Sequence, residues 1–523
     1  MKIFKKICSF ILIIFFLIIC NSCDKKEEVK IIDIDLTSEN YAYVVKEGNT
    51  TLINQFNEFL VEIKEDGTFD EILDKYFQNE GMKLGVEYVT TQESSNDDKT
   101  LIVATNTPFE PFEYIGDDGL IYGIDIEIAQ LFATKHNMKL VVKNIDFDSI
   151  FTCIDANYAD IGMAGITITP EREALYDFTM PYYEASQKLV VLHSNEDFKD
   201  CKTADDVNKI LNSLDNVKIG FQNGTTGHWY VVGDDSFGFK GLANVEAIGY
   251  KTAQLAINDI LNGQIYGVIV DAAPANIMVN QINNLNNLNL IEKIKTFINA
   301  ISKEKFQTLI LTGLFNTLLI AICGLLIGII IGTIIALIKV APKYKKIIRI
   351  FNKICDIYVA IFRGTPIVVQ LLLAYYVILP ILSIKGVDAL LVGIIVFGLN
   401  SGAYVSEIMR GGINSVDKGQ LEAGRALGLS YNQCMIKIVI PQAIKNILPT
   451  LGNEFISLIK ETSVVSFITV VDLYTAFNNI GNNTYSVIIP YIVMALIYIV
   501  LVVIISLLIK ILEKRFAKND RNR

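Results

Sequence analysis

The chain has 523 residues, 51% hydrophobic and 20% charged, with a net charge of −10 and a mean hydropathy of +0.40. That length excludes a disulfide-stapled miniprotein; the apolar share excludes a wholly soluble chain, and the charged share one that lies entirely in a membrane. Residues before Lys303 hold 24 Lys and Arg against 45 Asp and Glu, and those from Lys303 onward hold 22 against 11, which predicts an acidic soluble half, with no affinity for nucleic acid, and a basic membrane half.

At the front, Lys2, Lys5 and Lys6 precede an apolar run over residues 7–19, too short for a spanning helix and suited to the core of an export signal. Ser22-Cys23 resembles a lipoprotein processing site, so residues 1–23 are either a signal ending in a lipidated Cys23 or a retained anchor. Both place the next domain outside the cytoplasm. Of eight cysteines, only Cys153 and Cys201 fall in the soluble half, which leaves room for one optional bridge and no framework. Three scattered histidines (His136, His193, His228) and no CxxC spacing give no reason to expect a metal or another cofactor.

Residues 30–35 predict a strand. Residues 40–49 follow, then helices over 52–65 and 69–77 around Asp66-Gly67-Thr68, and a linker over 81–98 rich in Gln, Ser, Asn and Asp. From Leu101 the chain alternates short apolar runs (101–104, 140–142, 160–164, 188–192, 217–221, 268–270) with helical stretches such as 124–136 and 147–156, the signature of an α/β fold with parallel strands. Ligands of such sheets bind beyond the carboxyl ends of the strands.

The residues at those ends run Ala104-Thr105-Asn106-Thr107-Pro108-Phe109-Glu110-Pro111-Phe112-Glu113, Gly123-Ile124-Asp125-Ile126-Glu127, Asp146-Phe147, Ala164-Gly165-Ile166-Thr167-Ile168-Thr169-Pro170-Glu171-Arg172, Gly220-Phe221-Gln222-Asn223-Gly224-Thr225-Thr226 and Val270-Asp271-Ala272-Ala273-Pro274. In that order they resemble the type II solute-binding proteins of polar amino-acid ABC importers, the glutamine, histidine and arginine binders. The resemblance implies a bilobed domain that closes on a zwitterion. Arg172 would fork onto the α-carboxylate with the Thr167 hydroxyl and backbone N–H groups near Gly165 and Thr225, Asp271 would take the α-ammonium from the other lobe, and Thr226 would also contact the ligand. Phe109 and Phe147 would clamp the side chain, with Asn106 and Gln222 as polar selectors. Read singly, Arg172 is a solvated residue at a helix start, Asp271 a helix cap and the phenylalanines core. Asn106 stands where the family often has Asp, which argues against a cationic side chain.

The family's closing strand, hinge crossing and terminal helix pair are missing after Leu290. Residues 40–77 resemble them instead. The expectation is a circularly permuted binding domain, with 29–80 as its displaced C-terminal portion, 81–99 as linker and 100–290 as its body; the alternative is a remnant of a second binding domain.

Residues 308–338, 357–382, 389–409, 455–475 and 487–511 each approach or exceed the roughly 20 residues of a membrane-spanning helix, which predicts five spans in an all-α domain over 303–523. Lys339, Lys343, Lys345, Lys346, Arg349 and Lys353 after the first span, and Lys510, Lys514, Arg515, Lys518, Arg521 and Arg523 at the end, are cytoplasmic by the positive-inside rule. Within 409–450, Glu422-Ala423-Gly424 with Gly428 and Ile438-Val439-Ile440-Pro441 resembles the EAA motif of ABC importer permeases, Gly424 replacing Ala and Ile440 Leu. The stretch over 362–366, residues 403–412, Pro441-Gln442-Ala443 and residues 453–463 resemble the polar amino-acid permeases. The resemblance implies that Glu422, Ala423, Gly424 and Gly428 engage an ATPase subunit and that the permease dimerises. Asn400, Tyr404 and Glu407 share one helical face, either lining a path or bonding inside the bundle. No GxxxxGK[ST] occurs, so ATP hydrolysis falls to a separate subunit and the chain is not itself an enzyme. The function implied is uptake of a polar L-amino acid at the cell membrane. A ligand-gated channel of the glutamate-receptor type is the alternative, against which the EAA-like loop counts.

Overall fold

The computed structural model describes residues 27–78, 81–89, 99–116, 118–235, 238–341, 346–382, 384 and 387–521. The expected export signal with Cys23, residues 90–98 of the expected linker, Lys343 and Lys345, and the side chains of Lys514, Arg515, Lys518, Arg521 and Arg523 lie outside the described residues. What is described divides into two compact units, one of residues before Thr308 together with Asn478–Tyr491, the other of Thr308–Phe477 and Ile492 onward.

The first unit has two lobes, each built on a sheet. Lobe one orders its strands Tyr176–Phe178, Val44–Lys46, Ile161–Gly162, Thr100–Thr105, Lys139–Asn144, Tyr88–Val89. Thr100–Thr105 runs parallel to Lys139–Asn144 in the register Val103↔Val142. Five of its six residues are buried, as expected of a strand covered on both faces. Lobe two orders Val29–Ile32, Gln187–Leu192, Gly267–Asp271, Val217–Gln222, Val245–Tyr250; Val217–Gln222 is parallel to both neighbours, and Val29–Ile32 adds an antiparallel edge in the register Ile31↔Val190. Between the lobes Glu39–Tyr41 pairs antiparallel with Tyr183–Ala185.

The segment before the linker is thus distributed over both lobes. Val44–Lys46 pairs with Ile161–Gly162 and Tyr176–Phe178. Helix Thr50–Glu65, capped by the Asn49 side chain, buries Leu52, Phe56, Phe59, Leu60 and Ile63, and helix Thr68–Phe77 buries Phe69, Ile72 and Tyr76. These residues share one core with Val103, Phe112, Ile124 and Phe132, and the Phe56 and Phe132 rings stack. A buried aromatic of this kind contributes about 3–5 kcal/mol by comparison with Ala. Among the described residues Cys153 and Cys201 are free thiols, so the optional bridge does not form.

The second unit is helical. Among the described residues four helices are long and apolar enough to cross a membrane: Glu304–Val340, Ala389–Asn414, Tyr431–Ile468 and Ile488–Ile511. The expected span over 357–382 is instead a pair, Lys346–Gly364 and Ile367–Ile381, bent by 107°. Pro366 lies in the break; it lacks an N–H and disfavours helical geometry in the residue before it, so the apolar run cannot continue as one helix. The expectation over 455–475 is also displaced, because the apolar helix reaches back to Tyr431 and ends at Ile468. Thr469 then takes a left-handed conformation (φ 64°) before helix Leu473–Asn483. Among the described residues the count is therefore four spans by length and composition, or five with the bent pair as one.

Candidate functional site

All ten residues singled out from the sequence line one cavity in the first unit: Asn106, Phe109, Phe147, Gly165, Thr167, Arg172, Gln222, Thr225, Thr226 and Asp271, joined by Glu113 and Ala164. Phe109, Gly165, Thr167 and Arg172 belong to lobe one, and Gln222, Thr225, Thr226 and Asp271 to lobe two. In this closed form the cavity is about 20 Å³, room for about one water. An amino acid enters only if the lobes part.

Arg172 sits in the short helix Pro170–Glu173, whose N-cap Thr169 accepts from the Arg172 N–H. The side chain is buried, which excludes the solvated role. Its guanidinium donates to Thr167 O at 2.8 Å and, across the lobes, to Gly224 O at 2.9 Å, with the Phe151 ring centroid 5.0 Å away and that of Phe147 at 5.9 Å. Burial lowers its pKa to about 10, so it remains a cation at neutral pH.

Asp271 ends strand Gly267–Asp271 and occupies the N-cap position of helix Ala272–Asn287, yet its side chain makes no capping bond. It is turned into the cavity, where the Tyr41 hydroxyl and Gln187 Nε2 donate to it. Burial first, and the Glu39 carboxylate second, push its pKa up, while the Tyr41 and Gln187 donors pull it down.

The lobes also meet through the Thr226 hydroxyl, which donates to Thr167 Oγ1 at 3.0 Å, and Thr167 in turn donates to Glu39 at 2.8 Å. Gln222 Nε2 donates to Asn106 Oδ1 at 3.3 Å, and Asn106 Nδ2 donates to Ile145 O at 2.7 Å. The two selectors thus form an uncharged amide pair. Gly165 has φ +53°, and a Cβ there would lie 2.4 Å from the Phe109 ring, so only Gly lets the loop pass beneath that ring. Its N–H donates to Asp125 at 3.2 Å.

Four residues went unassigned in the sequence. Glu113 ends the quoted Pro111-Phe112-Glu113 motif, and burial drives its carboxyl well above the usual range. Glu39 and Tyr41 stand in a segment read for its topology alone, and Gln187 lies opposite Asp271 in the sheet. Of the four only Gln187 lies directly across a strand pair from Asp271, a relation that the pairing of the strands reveals and the local sequence does not.

In the second unit, Glu422, Ala423 and Gly424 lie on the helix Lys418–Ala426, with Glu422 and Ala423 exposed and Gly424 buried. A Cβ on Gly424 would lie 2.7 Å from Cys434 Sγ, which accounts for Gly in place of Ala; Gly428 turns the chain at φ +85°. Asn400 donates to Phe362 O and Gln370, and Glu407 pairs with Lys339 and Arg410. Tyr404 is partly exposed beneath Arg363.

Residues 11–79 and 101–314, more than half of the chain, match the family described as bacterial extracellular solute-binding proteins, family 3. Residues 324–518 match the binding-protein-dependent transport system inner membrane component. A protein named as a glutamine transport system permease in Rickettsia typhi (strain ATCC VR-144 / Wilmington) is 41% identical over 210 residues, 40% of this chain and 94% of the relative. The arginine transport system permease protein of Bacillus subtilis (strain 168) is 40% identical over 211 residues, again 40% and 94%. Among solved structures, the crystal structure of an amino acid ABC transporter with histidines is 40% identical, over 41% of this chain and 97% of that one, with a TM-score of 0.38.

Proposed function

The chain belongs to family 3 of the bacterial extracellular solute-binding proteins, fused to an importer permease, and on that premise we propose that its cleft captures a polar L-amino acid as a zwitterion and delivers it to the permease of the same chain. The chain is a binding and permease component of an amino-acid ABC importer in the inner membrane, with the binding domain outside the cytoplasm; the matched families include no enzyme and lend the ion-channel reading no support.

The observation that carries the ligand reading is the placement of Arg172 and Asp271, a buried cation on one lobe and a buried acid on the other, at a single cavity. Only closure completes both contacts, so a ligand with both charges favours the closed state by its differential affinity. The amide pair Asn106–Gln222 favours a neutral polar side chain, which agrees with a relative named for glutamine transport.

The helix Lys418–Ala426 and the Gly428 turn are assigned to docking of a separate ATPase, and the permease to a dimer. The binding domain is read as circularly permuted. Support comes from Val29–Ile32 and Val44–Lys46 completing the sheets of two different lobes, which a remnant of another domain has no reason to do. The test is calorimetric titration of the purified full-length chain with each of the twenty L-amino acids. Saturable heat with at least one is expected, and none with any overturns the reading.

A further inference from the structure

Both side-chain hydrogen bonds to Asp271 fall on the same oxygen. Tyr41 Oη donates to Oδ1, and Gln187 Nε2 donates to it at 2.8 Å; among the described residues none falls on Oδ2. Tyr41 is buried and fixed by the rings of Phe109, Phe112 and Tyr183, with centroids 6.3, 5.3 and 5.9 Å away. Gln187 is held in register opposite Asp271 by the sheet. The donor geometry is therefore rigid, and it comes from two strands, one of which, Glu39–Tyr41, precedes the linker.

We propose that Tyr41 is a positioning residue for ammonium recognition, locking the Asp271 carboxylate so that Oδ2 is presented to the ligand. The inference rests on the zwitterion reading of the cleft. The charged and titratable groups facing Asp271 are Tyr41 and Glu39 from the crossing strand, Glu113 from the turn that starts at Phe109, and Arg172 from the opposite lobe. Burial and Glu39 favour the protonated acid; the Tyr41 and Gln187 donors favour the carboxylate that an ammonium needs. Tyr41 keeps its own proton, since burial drives its pKa well above the usual tyrosine value.

The experiment titrates the full-length wild type, Tyr41→Phe and Gln187→Leu across pH 4–8, using the L-amino acid that gives the largest heat in a screen of twenty. Tyr41→Phe should weaken binding about tenfold, as loss of a hydrogen bond to a charged group does, and move the acid limb of the affinity profile to higher pH. Gln187→Leu should move the limb in the same direction. Tyr230→Phe, which loses a bonded hydroxyl at Asn208 in lobe two, should leave the limb in place and so separates positioning from general destabilisation. Wild-type affinity and an unmoved limb in Tyr41→Phe overturn the inference alone; if Tyr41→Phe does not fold, an unmoved limb in Gln187→Leu overturns it. A wild type that binds none of the twenty overturns the zwitterion reading itself.

Discussion

The Arg172 guanidinium donates across the cleft to the Gly224 carbonyl at 2.9 Å. The group assigned to the ligand carboxylate thus also ties the lobes together in the closed form, and a ligand must replace this bond while opening room for itself.

Replacing Arg172 with Ala removes the cation that answers the carboxylate. Affinity should fall by at least a hundredfold, since an unpaired buried charge costs about 3–5 kcal/mol. Arg172→Lys should recover only part of this, because a point charge cannot donate as a planar fork. Calorimetry on the two variants checks both, and equal wild-type affinity in Arg172→Ala would remove it from the site.

Asp271 must be ionised to hold an ammonium, and its pKa in the buried site lies above the ordinary 3.8. Affinity should be greatest above neutral pH and decline as pH falls through that raised value of about 7, well before ordinary carboxylates titrate. Binding in the acid range should release protons, seen as a buffer-dependent heat. Affinity constant down to pH 4 would contradict this.

Asp125 has its pKa raised from 3.8 to about 7, mainly by burial. A carboxyl raised on folding adds stability below its unfolded pKa and loses it as pH rises through the folded one. Between pH 4 and 7 the ligand-free protein should therefore lose thermal stability as pH rises. Asp125→Asn should flatten that slope in a scanning-fluorimetry series, and an unchanged slope would assign it to other groups.

Much of this was legible in the sequence because it is local. The strands over 101–104 and 140–142 are apolar runs bounded by turns, and the ten cavity residues sit in short motifs at strand ends. What escaped depends on long-range pairing. Tyr41 and Gln187 reach Asp271 across 230 and 84 residues, and nothing in their own neighbourhoods marks them. The apolar run over 357–382 hides its break because hydropathy averages across Pro366, and the helix Tyr431–Ile468 starts earlier than its hydropathy suggests because its first half is only moderately apolar.

Gly424 is closed in by Cys434 and Ile438. Gly424→Leu should displace the helix Lys418–Ala426, and Gly428→Val, strained at φ +85°, should distort the turn behind it. Both variants should bind amino acid as wild type does yet lose ligand-stimulated ATP hydrolysis when reconstituted with the ATPase; full stimulation in both would detach this helix from coupling.

In the proposed site two opposite charges on facing lobes recognise two opposite charges on one ligand. The most direct measurement titrates the full-length chain with the amino acid it binds, with the amine lacking its α-carboxylate and with the acid lacking its α-ammonium. Saturable binding of the intact zwitterion alone is predicted; binding of either truncated analogue with equal affinity would contradict the account.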